Sequence, residues 1–599
     1  MIVLGCNGFT RVSEVFAEHF GAVGIDKHYL LGHDAGAALL VDGELVAAVE
    51  EERLNRVKKT TDFPVNAVRW CLEQAGLRFS DIDLIAIPFN FSDEVLDEML
   101  TGIAGAPMPP EPKLALLNNI VKLYTEVVSH EAILADFAAR TGYTPDPDRV
   151  VFVPHHLAHV MTGYYAAGMP DSAFLVSDGR AEVLSTLMGE IRGGRIQVFD
   201  ETAIGAEYSI GILFSAITRF LGFVPNNDEY KVMGLSGYAR PPVPNPFVEE
   251  FIELHPDGRY TFRQPLQTDD PRSLDGLFEQ YFGPFEATLE YQSRVAAAAQ
   301  EMLNVVTRHQ IRALEGKTEL RHLLFEGGVA LNCLNNTPLF AGSRFDDMDV
   351  SFGASDTGVV LGAAVYAWLN HPESAGRRQV APRVTPYLGP EFDDAAIEDA
   401  LRGFRDRVGW TRLSDAEIVD QVSKLLTEKV VIGWFEGRIE HGPRALGHRS
   451  ILANPQFPDI KDVINTRVKH REPFRPFAPI VLEADAPKIF EMGRKTRSPY
   501  MTFVFPVRPE FHEVIPGATH VDGTSRVQTI TDADTPRLAD LLRRFTALTD
   551  VPCLINTSFN VAGEPIVCTP ADALQCFLGT EIDYLVLGNY LVTKADTAG

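Results

Sequence analysis

The sequence predicts an α/β protein of at least two domains. Three observations carry that expectation. The chain has 599 residues, more than one hydrophobic core usually organises. Short apolar runs of strand length alternate with helical stretches, and glycine or polar residues follow them, which is where α/β sheets bind ligands. Residues 371–390 (HPESAGRRQVAPRVTPYLGP) are dense in proline, glycine and charge and lack periodicity, which marks a linker.

Taken in order, MIVLGCNG opens the chain as a strand. AALLVDGELVAAVE from Ala37 to Glu50 reads as a hairpin, because Asp42-Gly43 sits between two apolar runs. Asn66 to Ala75 is helical, DLIAIPF from Asp83 to Phe89 is a strand, and Leu114 to Thr141 is largely helical. Three strand-then-turn units follow: VVFVP ending at Pro154, AFLVSDG ending at Gly179 and HLLFEGG ending at Gly328, with a helix from Tyr291 to Leu314 between the last two. Beyond the linker come a helix over Asp415 to Glu428, the strand VVIGWFEG, several Arg-rich turns and the strand VPCLINTSFN. No internal repeat of fixed period is visible.

Composition narrows the function. Hydrophobic residues make up 45% of the chain and charged residues 23%, which are globular values. The net charge of -27 argues against nucleic acid as a partner, since that binding needs a cationic surface. Residues 431–480 reverse the balance, with eight Lys/Arg against five Asp/Glu, and suit an anionic ligand such as phosphate. Six cysteines without a CxxC pair read as reduced thiols of a cytoplasmic protein. Neither a signal peptide nor a run of about 18 apolar residues is present, so no membrane association is expected.

Four constellations carry chemistry. In HHLAH, His155 and His159 are four apart and share a helix face. Histidines so spaced also cap or pack, but Asp178 in SDGR and Asp356 in GASDTG complete an N₂O₂ donor set for a divalent ion, Fe²⁺ or Zn²⁺ among others. Glycine-rich turns recur at GHDAG (32–36), YKVMGLSGY (230–238), FEGGVALN (325–332) and GASDTGVVLGAA (353–364). Single glycine turns usually only turn; four together read as a nucleotide cleft, with Lys231 either neutralising phosphate or lying on the surface. The third set is cationic: Arg444 and Arg449 in GPRALGHRS, then Lys469, Arg471 and Arg475 in VKHREPFRPFAP, joined by Arg526 in DGTSRVQT. Guanidinium forks bind phosphate bidentately, against the alternative of structural ion pairs. In the fourth, NTSFN, Ser558 and Asn560 share a face of an extended segment. His33 beside Asp34 either caps a turn or accepts a proton from an attacking hydroxyl.

These strings, together with HDAGAALLVDGELVAAVEEERLNRVKK, run from His33 to Asn560 in the order found in the O-carbamoyltransferases of antibiotic biosynthesis, and the chain resembles that family over nearly its whole length. The family includes the tobramycin, cephem and ansamycin enzymes and the nodulation carbamoyltransferase; the ansamycin type is the nearest likeness. The resemblance implies an actin/hexokinase-like, Kae-type domain over residues 1–375. It implies a YrdC-like α/β domain over residues 385–599. It also implies a two-step reaction. The second domain would make carbamoyl adenylate from carbamoyl phosphate and ATP with Mg²⁺, using Lys469, Arg471 and Arg475 with Arg444, Arg449, Ser558 and Asn560. The first would rest the AMP part on Gly234, Gly327, Gly328 and Asn332. Fe²⁺ would be held by His155, His159, Asp178 and Asp356, while His33 helps deprotonate the acceptor, a hydroxyl of a natural product such as a polyketide or macrolactam. Residues 9–30 and 89–130, with Pro107 to Pro112, are expected to shape acceptor choice. A metal-dependent kinase or ATPase of the same fold would release ADP and leave the Arg-rich region without a task. A nucleotide-gated binding module would leave the four metal donors unexplained.

Overall fold

The computed structural model describes residues 1–19, 31–105, 109–264, 266, 272–374 and 384–595. Parts of the 9–30 stretch, of the 89–130 tract and of the 371–390 linker therefore lie outside the described residues. The chain divides into two units, residues 1–55 with 59–384, and residues 56–58 with 385–599.

The first unit contains the same five-strand plan twice. In the first half, strand Ile2–Asn7 pairs antiparallel with Gly36–Val41, which pairs antiparallel with Glu44–Glu50. On its other side it pairs parallel with Leu84–Ile87, and that strand with Val150–Phe152. In the second half, Asp171–Ser177 takes the place of the first strand. It pairs antiparallel with Leu184–Arg192, which pairs with Arg195–Val198, and parallel with His322–Glu326, which pairs with Asp347–Asp349. A meander of three followed by two parallel strands, duplicated, is the actin/hexokinase-type plan. The expected hairpin forms at Asp42 and Gly43, with φ of 51° and 88°, the paired positive values that a two-residue turn matching strand twist requires.

Each half closes with a helix, His155–Ala167 in the first and Val359–Asn370 in the second. Both are apolar nearly all round, and such helices must be buried on all sides. They pack on each other, and each also packs on the other half's sheet: Val359–Asn370 on the first and His155–Ala167 on the second. Gly362 permits that approach, because a Cβ there would stand 1.8 Å from the carbonyl oxygen of Ala158. The 27-residue helix Leu289–Glu315, capped by the Thr288 hydroxyl, buries its VAAAA stretch in the same unit.

The second unit is built on a mixed eight-stranded sheet. Its order is Val408–Arg412, Tyr590–Lys594, Tyr584–Leu587, Val431–Phe435, Arg449–Ala453, Cys553–Ser558, Ala478–Leu482, Gln528–Ile530. Helices Asp415–Leu425 and Pro536–Thr549 pack together, both amphipathic and the first closed by a reciprocal Ser414–Glu417 capping box. All six cysteines are free and buried. Among the described residues, no helix is long and apolar enough to cross a membrane.

One sequence expectation is corrected here. YKVMGLSGY does not form a glycine turn: Lys231 and Gly234 lie in the helix Glu229–Ser236. The stretch Leu114 to Thr141 is helical as expected, within two helices, Pro110–Leu123 and His130–Thr141, joined by a wide helical turn at Tyr124–Val128.

Candidate functional site

The doubled fold brings four donors together at the meeting of its halves. His155 and His159 project from the first turns of the first closing helix, Asp178 follows the first strand of the second half, and Asp356 opens the short helical turn before the second closing helix. All four are buried. His155 Nε2 lies 3.4 Å from Asp178 Oδ2 and 3.5 Å from Asp356 Oδ1; His159 Nε2 lies 3.7 Å from the same two oxygens and 3.2 Å from His155 Nε2. Donors about 2.1 Å from a tetrahedral ion stand about 3.4 Å apart, so the spacing fits a divalent ion. Burial disfavours both imidazolium forms, but the carboxylates outweigh it and hold His155 well above the usual imidazole range, with His159 raised too. The same two negative charges suit a cation in place of those protons.

The surroundings fix the donors. His155 Nδ1 meets the carbonyl oxygen of Pro88 at 3.0 Å, which turns Nε2 towards the carboxylates, and its ring stacks on Phe89. Pro154 supplies no side-chain cap to the helix, and Glu182 takes over: its Oε1 accepts from His155 N at 3.1 Å and from Asn90 N at 2.7 Å. One carboxylate thus ties the helix start, the strand end carrying Pro88 and the loop after Asp178. Gly328 N donates to Asp178 Oδ1 at 2.8 Å. Gly327 makes this possible, with φ of 92° and its Cα so close that a Cβ would stand 2.3 Å from the Ser177 carbonyl oxygen. His33 Nδ1 is 2.9 Å from Asp34 Oδ2 and 3.8 Å from Asp356 Oδ2, so the fold sets it beside the four donors.

The other first-unit candidates are engaged locally. Asn332 caps the helix Cys333–Ala341 through Asn335 N and exchanges hydrogen bonds with Gln300. Lys231 pairs with Asp228 at 2.9 Å and lies over Phe223.

In the second unit, Lys469 is buried and its ammonium donates to Ser558 Oγ (3.1 Å) and to Asn560 O (3.0 Å) and Oδ1 (2.8 Å), and also to Ser558 O. Ser558 Oγ and Asn560 Oδ1 are themselves 2.7 Å apart. Burial pushes the Lys469 ammonium well below its usual range, and the positive charges of Arg471 and Arg475 push it further. An anion placed among these three cations would relieve that repulsion. Arg471 is steadied by Asn465 at 2.7 Å and by the Phe477 ring, and Arg475 by Glu472 at 3.6 Å. Arg444 lies in the turn before strand Arg449–Ala453, and Arg526 ends strand Thr524–Arg526; both are partly buried.

Arg449 departs from the phosphate-binding expectation. Its guanidinium is fully buried, stacks 3.6 Å from the Phe435 ring and donates to the carbonyl oxygens of Glu436, His448, Pro390 and Gly437. It cross-links the turns around its strand, and its donors face main chain. Arginine beside GPRALGH looks the same in sequence whether it faces ligand or core.

Three further groups escaped the sequence reading. Glu182 caps a helix 27 residues upstream. Lys59 Nζ lies 3.0 Å from Asp34 Oδ2. Glu326, buried under Gly163, accepts from Ser351 N and Oγ at 3.0 and 2.8 Å. Each stands in or beside a string already singled out, yet nothing local signals which partner tertiary packing supplies.

Two family models match the sequence: "Carbamoyltransferase N-terminus" over residues 22–365 and "Carbamoyltransferase C-terminus" over residues 423–594. Among curated proteins, an uncharacterized protein of Synechocystis is 33% identical, with 96% of each chain covered. Nodulation protein NolNO of Sinorhizobium fredii is 36% identical over 94% of this chain and 79% of its own. Nodulation protein U of Rhizobium tropici is 30% identical over 95% and 96%. Among solved structures, full-length HypF in its phosphate- and nucleotide-bound form aligns at a TM-score of 0.32 and 13% identity, covering 62% of this chain and 56% of that one.

Proposed function

The chain belongs to the carbamoyltransferase family and is a carbamoyltransferase, and from that premise we propose that it is an ATP-dependent O-carbamoyltransferase working in two half-reactions. The observation that supports this reading best is the presence of two chemically distinct constellations, a buried four-donor His/Asp cluster in the first unit and a buried cationic cluster around Lys469 in the second.

In the first half-reaction, water cleaves carbamoyl phosphate to carbamate and phosphate. A carbamate oxygen then attacks the α-phosphorus of ATP, brought with Mg²⁺, and pyrophosphate leaves. Lys469, Arg471 and Arg475, with Arg444 and Arg526, neutralise charge on the phosphates, and Ser558 and Asn560 hold Lys469 in place. In the second, an acceptor hydroxyl oxygen attacks the carbamoyl carbon of the adenylate and AMP leaves with the old bonding pair. The AMP part would rest near Gly327, Gly328, Asn332 and Lys231, the last two giving up local partners to meet it, and His33 takes the proton of the hydroxyl. His155, His159, Asp178 and Asp356 would hold a divalent ion, Fe²⁺ in this reading, which supplies Lewis acidity for the carbamoyl group or phosphate. The acceptor in this reading is a hydroxylated natural product of polyketide or macrolactam type.

The test incubates the protein with ATP, Mg²⁺ and carbamoyl phosphate and separates the nucleotides. Pyrophosphate with carbamoyl adenylate, and AMP from hydrolysis of that adenylate, is expected; ADP, or no nucleotide turnover by folded, metal-loaded protein, contradicts the reading.

A further inference from the structure

We infer that Asp34 is a positioning residue for the transfer step, anchored by Lys59, which fixes His33 in the tautomer with its proton on Nδ1 and its lone pair on Nε2. The inference rests on the reading of His33 as the group that takes the acceptor's proton, and it adds how that imidazole is kept ready.

A single oxygen is shared. Asp34 Oδ2 lies 2.9 Å from His33 Nδ1 and 3.0 Å from Lys59 Nζ. An ammonium only donates, and a carboxylate beside an ammonium stays ionised and only accepts. Asp34 accordingly demands a proton on His33 Nδ1, and the neutral ring is left with its lone pair at Nε2. Among the described residues Nε2 makes no hydrogen bond, and the ring is 23% exposed, so that lone pair is open to a small molecule.

The backbone is arranged for this contact. Asp34 and Lys59 both hold positive φ, 58° and 52°, a region that non-glycine residues enter rarely and that clusters where a constrained side chain has a task. The bond from Ala35 N to Thr60 O at 3.2 Å joins the two segments directly after these residues. Asp34 is 7% exposed, so its carboxylate is shielded from solvent. Asp356 Oδ2, 3.8 Å from the same Nδ1, sets the ring against the four-donor cluster.

The shared oxygen makes the inference testable by swapping the carboxylate for an amide. In Asp34→Asn, Lys59 only donates and so keeps the amide oxygen at the shared position, where it still accepts from Nδ1 and leaves the lone pair on Nε2. In the double variant Asp34→Asn/Lys59→Glu, the new carboxylate draws the amide NH₂ to that position, which forces the ring proton onto Nε2. Diethyl pyrocarbonate acylates an imidazole through its lone pair. The experiment uses full-length protein as isolated, at a pH where labelling of native His33 no longer rises with pH, so that the ring is neutral. It reads carbethoxylation of His33 by peptide mass spectrometry against exposed His512 in the same digest. The single variant is expected to label within about threefold of native, and the double variant about tenfold or more slower. A single variant slowed about tenfold, or a double variant that labels like the single, overturns the inference; a merely structural ion pair predicts that second pattern. The readout uses no ATP, carbamoyl phosphate or acceptor. Absence of AMP formation by native protein would therefore count against the proposed function and leave the array untouched.

Discussion

Glu326 shows how burial alone sets a residue's behaviour. Loss of hydration raises its carboxyl to about 8 from an ordinary 4.5, against the two hydrogen bonds from Ser351 that favour the ionised form. Its folded value exceeds its unfolded one, so folding takes up a proton. The stability it contributes is fully present below about pH 4.5 and is lost as pH rises through about 8. Glu326→Gln keeps the shape and cannot ionise, so its thermal midpoint should fall less than that of the native protein between those limits. Parallel declines in melts across that range contradict the assignment. Glu182 makes a second residue-scale case. Glu182→Ala removes the cap of the histidine helix, at about 1 kcal/mol. It should also weaken metal binding about 10- to 100-fold by releasing His155, whereas Glu182→Gln, still an acceptor, should stay near native. Metal titration of the apo variants reads both. Neither residue was legible in sequence. An acid in FEGG or SDGRAE carries no mark of being buried, and Glu182 finds its helix only after the chain has folded.

At the scale of elements, legibility followed local chemistry. The Asp42-Gly43 hairpin and the histidine pair on one helix face were both readable, because a turn's φ values and a helix's period are fixed within a few residues. Glycine was misread where it lies within a helix. Gly234 lies inside a helix, and Gly362 is where one closing helix meets another, neither of which a glycine turn would require. Gly362→Ala places a methyl group against the Ala158 carbonyl, on the turn that carries both histidines. The helices must part, at about 1–3 kcal/mol, with loss of bound metal. Elemental analysis beside a melting curve tests the coupling: a variant that is destabilised yet binds metal as before would separate the helix contact from the donor cluster. Arg449 belongs at this scale too. A cation-rich run suggested ligand, and packing turned this one member onto four carbonyl groups.

At the scale of the molecule, the doubled five-strand plan explains why the four donors converge. Two come from the closing helix of one half and two from the second half, and the closing helices lie against each other. No repeat is visible in the sequence, because strand order and pairing direction constrain only polarity patterns. Two halves can share a topology while sharing no string of residues. The candidate donors were more legible than this architecture, since His, Asp, Lys and Arg in tight spacing stand out as letters, although Arg449 shows that the letter does not fix the task. The account assigns activation to the cluster around Lys469 and transfer to the His/Asp cluster. It follows that Lys469→Ala should lose AMP formation to below about 1% of native, while keeping the metal content of the first unit.

The most direct test of this division is a rapid-quench measurement of Asp356→Asn protein mixed with ATP, Mg²⁺, carbamoyl phosphate and a panel of hydroxylated acceptors, with native protein in parallel. The account predicts that the variant, depleted of its ion, still forms carbamoyl adenylate and pyrophosphate at close to the native rate, yet passes no carbamoyl group to any hydroxylated acceptor. A variant that loses adenylate formation and transfer together, with the second unit still folded, would contradict it.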